Sequence, residues 1–152
     1  MGRKRYSDEL ERALARRDAD QMCRDLDAYA DHHERGGEWP EEYAEAFGEI
    51  ISCFHDDPEK AFAYVILGAS RSDDAGFLGL LGCGPLEDLL DDPSDELLER
   101  IIAEARKSAR FRWLLSHPFK VAIAQRAWEA IEKFRITGPH EEPSKDALPP
   151  RQ

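Results

Sequence analysis

Carboxylates, histidines, cysteines and glycines are the residues here whose types permit chemistry, and their spacing tests each option. Glu87 and Asp88 are adjacent acids within Gly84-Pro85-Leu86-Glu87-Asp88-Leu89-Leu90. Two carboxylates share a proton only when they converge, and neighbouring residues of a helix diverge by about 100°. The pairings that fall on one helix face are Glu87 with Asp91 and Asp88 with Asp92, with no histidine beside them in sequence. A metal held by such pairs would keep most of its water. His32 and His33 adjoin and point apart, His55 precedes Asp56 and Asp57 in the manner of a turn and cap, His117 precedes Pro118, and His140 stands near the end. There is no HExxH and no paired His/Cys spacing, so neither a zinc site nor a cofactor is expected. A nucleophile elbow and a family cysteine signature are equally missing. The chain is therefore expected not to be an enzyme; if it were one, Glu87, Asp88 or His55 in a cleft would carry the chemistry.

Cys23, Cys53 and Cys83 are odd in number, lack a CxxC pair and sit among apolar neighbours, as reduced core thiols do. Gly76, Gly79 and Gly82 recur every three residues through Ala75–Gly84. A phosphate-cradling loop would need a preceding strand and a Gly-Lys-Ser/Thr ending, whereas Pro85 and Leu86 follow. The expectation is a buried helix whose glycine face lets a neighbouring backbone come close.

The elements that must position these residues are helices. Tyr43, Phe47, Ile50, Ile51 and Phe54 form one stripe at helical spacing after Pro40, and Asp57-Pro58-Glu59 opens a second helix with Phe62, Val65, Ile66 and Ala69. Ser94-Asp95-Glu96 opens a third, and His117-Pro118 opens a last one carrying Val121, Ala124, Trp128, Ile131 and Phe134. Asp8 to Glu34 reads as one long helix bent near Asp18 and ended by Gly36-Gly37. Gly84 and Pro85 suit the N-cap and first position of a further helix. No period-2 alternation supports a strand. The expected fold is all-α, without a sheet: a compact bundle or a HEAT-like stack of about six to eight helices in one domain. That domain is placed at residues 7–136, between a disordered N-terminus at 1–6 and a disordered Pro-rich tail at 137–152. The start of the chain shows no secretory pattern, and the apolar run within Ala75–Cys83 falls far short of a membrane span, so a cytoplasmic protein is expected.

The run Gly84 to Leu90, the helix with Ile101, Ile102, Ala105 and Arg106, then Phe111-Arg112-Trp113-Leu114-Leu115 and a late Trp128 resemble a family of small bacterial domains of unknown function. The resemblance spans about Pro40 to Phe134. It implies an all-helical fold and a bacterial origin, and carries no activity with it.

Charge ranks the functional options. The chain of 152 residues has a net charge of −11, unevenly spread. Asp18 to Glu96 holds 22 acids against four bases, whereas Arg100 to Arg135 holds nine bases against three acids. Such a chain either docks its halves on each other or offers two faces to partners. The leading expectation is a protein-interaction module, of the immunity or accessory kind, for a partner with a basic surface. The runner-up is nucleic-acid binding through Arg106, Lys107, Arg110, Arg112 and Trp113, which the net charge opposes. Glu87 and Asp88 are expected to cap their helix or pair with Arg106, Arg110 and Arg112. Trp39 and Trp113 are the apolar residues on which a second copy could seat.

Overall fold

Side chains at helix starts set most of the element boundaries. In the computed structural model, which describes residues 7–38 and 40–151, Ser7 accepts a hydrogen bond from the Leu10 amide (3.2 Å) and opens α1, Asp8–Leu14. Asp57 does so for α4, Pro58–Arg71, and Asp74 for α5, Ala75–Leu81. Ser94 opens α7, Asp95–Lys107, and Ser108 opens α8, Ala109–Leu115. Each cap satisfies an amide that has no partner in the first turn. Helix α2, Ala19–Arg35, is separated from α1 at the expected bend and ends at Gly36 and Gly37, whose φ values of 74° and 86° favour glycine. Helix α3, Glu41–Ser52, follows Pro40. The expectations for residues 1–6 and for Trp39 lie outside the described residues.

The helix at Gly84 does not restart. Helix α5 runs through a π turn, Gly82–Leu86, straight into α6, Glu87–Asp91, so Gly84 is no N-cap and Pro85 no first residue. Proline inside an α-helix lacks the donor and clashes with the carbonyl four residues back. The wider turn of a π-helix relieves both and keeps buried Pro85 and Leu86 on the core. With this bent rod counted once, the described residues form eight helical rods and no strand.

Helix α4 is the centre. Every residue from Ala61 to Gly68 is buried, not only the stripe of Phe62, Val65 and Ile66, as expected of a helix apolar on all sides. Helices α1, α2, α3, α5, α6 and α8 all pack against it, which is a bundle around one axis and not a serial stack. Phe111, Trp113, Leu114 and Leu115 of α8 and Ala127, Trp128 and Ile131 of α9, Gln125–Ile131, complete the core. The last helix begins at Gln125 and not at Pro118: Lys120–Ala122 is a short 3-10 turn that leaves Val121 81% exposed.

Residues 137–151 run as a strap along the body with a 3-10 turn at Lys145–Ala147. The indole of Trp113 donates to the Ser144 carbonyl (3.0 Å), Arg110 Nε to the Pro149 carbonyl (2.9 Å), and Pro143 is buried.

Candidate functional site

The apolar residues of the Gly84–Leu90 motif are structural. Pro85, Leu86, Leu89 and Leu90 are all buried. The preceding glycines admit α8 and its turn: a Cβ on Gly82 would stand 2.7 Å from the Leu114 carbonyl oxygen and 2.8 Å from His117 Cβ. That is the close backbone approach expected of the glycine face. Gly84 itself faces open space. Glu87 accepts a hydrogen bond from the Phe119 amide (3.1 Å), so it fixes the chain just after Pro118. Asp88 carries no ion pair among the described residues; burial first and Glu87 second push its carboxyl above the ordinary range.

The arginines expected to answer these acids lie elsewhere. Arg110 is buried and donates to Asp73 (2.7 Å), to the Ala69 and Ser72 carbonyls at the end of α4, and to Pro149 of the strap. Arg112 donates to the Ala105 carbonyl, and Arg106 is exposed. Trp113 is fully buried, with its ring edge-on to His117 at 4.4 Å. The nine residues Gly84 to Asp88, Arg106, Arg110, Arg112 and Trp113 therefore divide between the π bend with α6, the floor beneath the strap, the α7–α8 junction and solvent.

Beneath the strap the geometry is the most site-like. Arg151 grips Asp73 through Nε (3.1 Å) and Nη2 (2.7 Å) and reaches the Ser70 and Arg71 carbonyls at 3.3 Å. Hydrogen bonds from Arg151 and then Arg110 hold the Asp73 carboxyl below its ordinary range. An open groove of about 580 Å³ lies between the strap and Asp73, Ala75 and Arg110. Sequence reasoning missed Asp73 and Arg151; nothing local in either sets it apart from an ordinary surface charge.

Other polar clusters tie helices together. Tyr64, fully buried on α4, donates to Asp25 of α2 (2.9 Å), and burial raises its hydroxyl pKa. Arg100 of α7 makes a two-pronged pair with Glu9 of α1 (2.8 and 2.7 Å) and reaches Glu59 of α4. Burial pushes the Cys53 thiol up to about 12 and raises Cys83 as well, the reverse of what a thiolate nucleophile needs. No group of three metal-ligating side chains occurs among the described residues. None of their helices is long and apolar enough to cross a membrane.

A family of unknown function (DUF6869) matches residues 33–138, from the end of α2 to the start of the strap. The chain belongs to that family. No curated protein and no solved structure matches it. The DUF6869 segment contains the π bend, the groove residues Asp73 and Arg110, and the buried Trp113. It excludes α1, most of α2 and strap residues 139–151.

Across the surface the two charged halves behave differently. Arg100, Arg110 and Arg126 of the basic half pair with Glu59, Asp73, Asp92 and Asp95 of the acidic half. Arg135 turns onto the Leu115, Pro118 and Gly138 carbonyls and lies over the Trp128 ring. Along the α2–α3 hairpin, by contrast, Asp20, Glu34, Glu38, Glu41 and Glu45 are exposed, and Asp56 follows in the next turn.

Proposed function

We propose that this DUF6869 chain is a non-catalytic protein-binding module whose α2–α3 hairpin takes a partner with a basic surface. The carrying observation is that exposed hairpin acids coexist with arginines of the basic half turned inward onto carboxylates and carbonyls. Uncompensated surface charge of one sign accelerates encounter with the opposite sign and rejects wrong partners. A bacterial immunity-like or accessory factor fits this reading. Nucleic-acid binding loses support, because Arg110 and Trp113 are buried and Arg112 is committed to a carbonyl. An enzyme built on Glu87 and Asp88 loses it too, because Glu87 is occupied by the Phe119 amide.

The test is crosslinking of the full chain in its host, at low and high salt, beside a Glu41→Lys/Glu45→Lys variant. The expected outcome is a protein partner crosslinked to α2–α3, weakened by salt and lost in the variant. Crosslinks confined to α7–α9, or co-purifying nucleic acid, would overturn it.

A further inference from the structure

We infer that the groove between the end of α4 and α8 is a receptor for an extended, proline-bearing, arginine-ended segment of a partner protein, and that residues 143–151 fill it in cis. This goes beyond the α2–α3 reading and concerns a separate surface.

The groove is built from donors that the body itself leaves unanswered. Trp113 Nε1 and Arg110 Nε belong to buried side chains, and the acceptors they meet are the Ser144 and Pro149 carbonyls of the strap. Both acceptors are main-chain groups, which any extended segment presents. Proline suits such a place because its carbonyl accepts while no amide needs an answer, and its backbone is already restricted. An aromatic N–H reading the carbonyls of a proline-bearing segment is a recurring way to hold a peptide with little ordering cost.

Specificity comes from the far end. Asp73 and the Ser70 and Arg71 carbonyls converge on one guanidinium, that of Arg151, at the negative end of α4. A lysine could not make the two-pronged contact with Asp73.

The strap holds the groove lightly. Ser144, Lys145, Asp146 and Ala147 are exposed, and Leu148 and Pro149 are only half-buried. Its side-chain anchors are buried Pro143, Leu148 against the core and a half-exposed Arg151. An open groove of about 580 Å³ lies beside the strap, lined by it and by Asp73, Ala75 and Arg110. Asp73, Arg110 and the buried Trp113 fall inside the segment matched to the family, while strap residues 139–151 fall outside it.

The experiment uses the full chain and a fluorescent synthetic peptide of residues 142–151, Glu-Pro-Ser-Lys-Asp-Ala-Leu-Pro-Pro-Arg. A Leu148→Asp/Arg151→Ala chain loosens the cis strap without touching the groove. It is expected to bind the peptide at least about tenfold more tightly than the unaltered chain, because the tethered competitor is weakened. Adding Asp73→Asn is expected to remove that gain, and replacing the peptide's arginine by alanine to weaken binding several-fold. Equal affinity of the two chains, or no binding by either, overturns the proposal. Arg151→Ala alone serves if the double variant does not fold, with a gain of about threefold expected. A dimer of the unaltered chain that dissociates in the strap variant also overturns it, since the occupant is then a second copy's strap. None of these outcomes bears on the α2–α3 face, so the broader binding reading stands or falls separately.

Discussion

The basic half of the chain and the acidic hairpin place their charges in opposite ways. Arg100 joins α7 to α1 and α4, Arg110 joins α8 to the end of α4 and to the strap, Arg126 joins α9 to the α6–α7 turn, and Arg135 holds the turn after α8. Each guanidinium has five donors on a long stem, so one side chain answers several acceptors from different elements. The hairpin carboxylates at Asp20, Glu34, Glu38, Glu41 and Glu45 face solvent and make no ion pair among the described residues. The lesson is that a net count of charge misstates both regions: Arg100, Arg110, Arg112 and Arg135 of the positive half work as internal fastening, and exposed hairpin acids supply an outward field.

The sharpest way to break this comparison is to remove one arginine of each kind. Arg110→Ala takes away a buried side chain, 6% exposed, with donors on Asp73, Ala69, Ser72 and Pro149. It is expected to cost about 2–4 kcal/mol in urea unfolding, from lost packing and charge-assisted hydrogen bonds. Arg106→Ala, at an exposed position of the same half, is expected to stay within about 0.5 kcal/mol. Similar unfolding midpoints for the two would end the claim that the inward arginines are fastenings.

A smaller effect separates the two glycines beside the π turn. Gly82→Ala puts a methyl against the Leu114 carbonyl and His117 Cβ, which cannot easily yield, and is expected to cost about 1–3 kcal/mol. Gly84→Ala meets open space and is expected to stabilise by up to about 1 kcal/mol through helix propensity. Thermal melts of both variants check this. If Gly84→Ala instead destabilised the chain, the motif would be more than a bend filled by Pro85 and its leucines.

How far the fold could be read depended on range. The caps at Asp57 and Ser94 were legible because a side chain answers an amide three residues on. The centrality of α4 was not, because burial on all sides of Ala61–Gly68 is set by six other helices. Gly84-Pro85 reads locally as a stop and start; burial of Pro85 and Leu86 against the core overrides that by widening one turn. Arg110 and Trp113 stand out locally as a charge and an aromatic near each other, but their partners Asp73 and Ser144 lie 37 and 31 residues away. Composition tells nothing about whether a guanidinium turns inward. The strap contacts are equally long-range: the donors on α8 that meet the Ser144 and Pro149 carbonyls lie 31 and 39 residues away.

The smallest expected effect concerns a titratable group inside the basic half. His117 is buried against Gly79, Gly82 and the Trp113 ring, with Arg135 and Glu142 nearby. Its Nδ1 lies 3.0 Å from the Trp113 carbonyl and 3.3 Å from that of Leu114, so the neutral ring with Nδ1 protonated fits both. Burial depresses its pKa below the ordinary 6.5. The folded state then binds fewer protons than the unfolded one, so this contribution is complete above about pH 6.5 and is lost as pH falls through the folded pKa. Glu104 runs the other way. Burial raises its carboxyl above 4.5, so its contribution is complete below that value and is lost as pH rises through the folded pKa. Unfolding free energy measured across about pH 5 to 7 should fall on acidification by at most about 1.4 kcal/mol per unit from His117. His117→Gln, which keeps an N–H donor for the carbonyls, should remove that fall and leave the opposing slopes of Glu104 and Asp88, both raised by burial. An unchanged pH profile in the variant would mean that the ring is free to charge in place, and that the inward half of the molecule tolerates a cation without a partner.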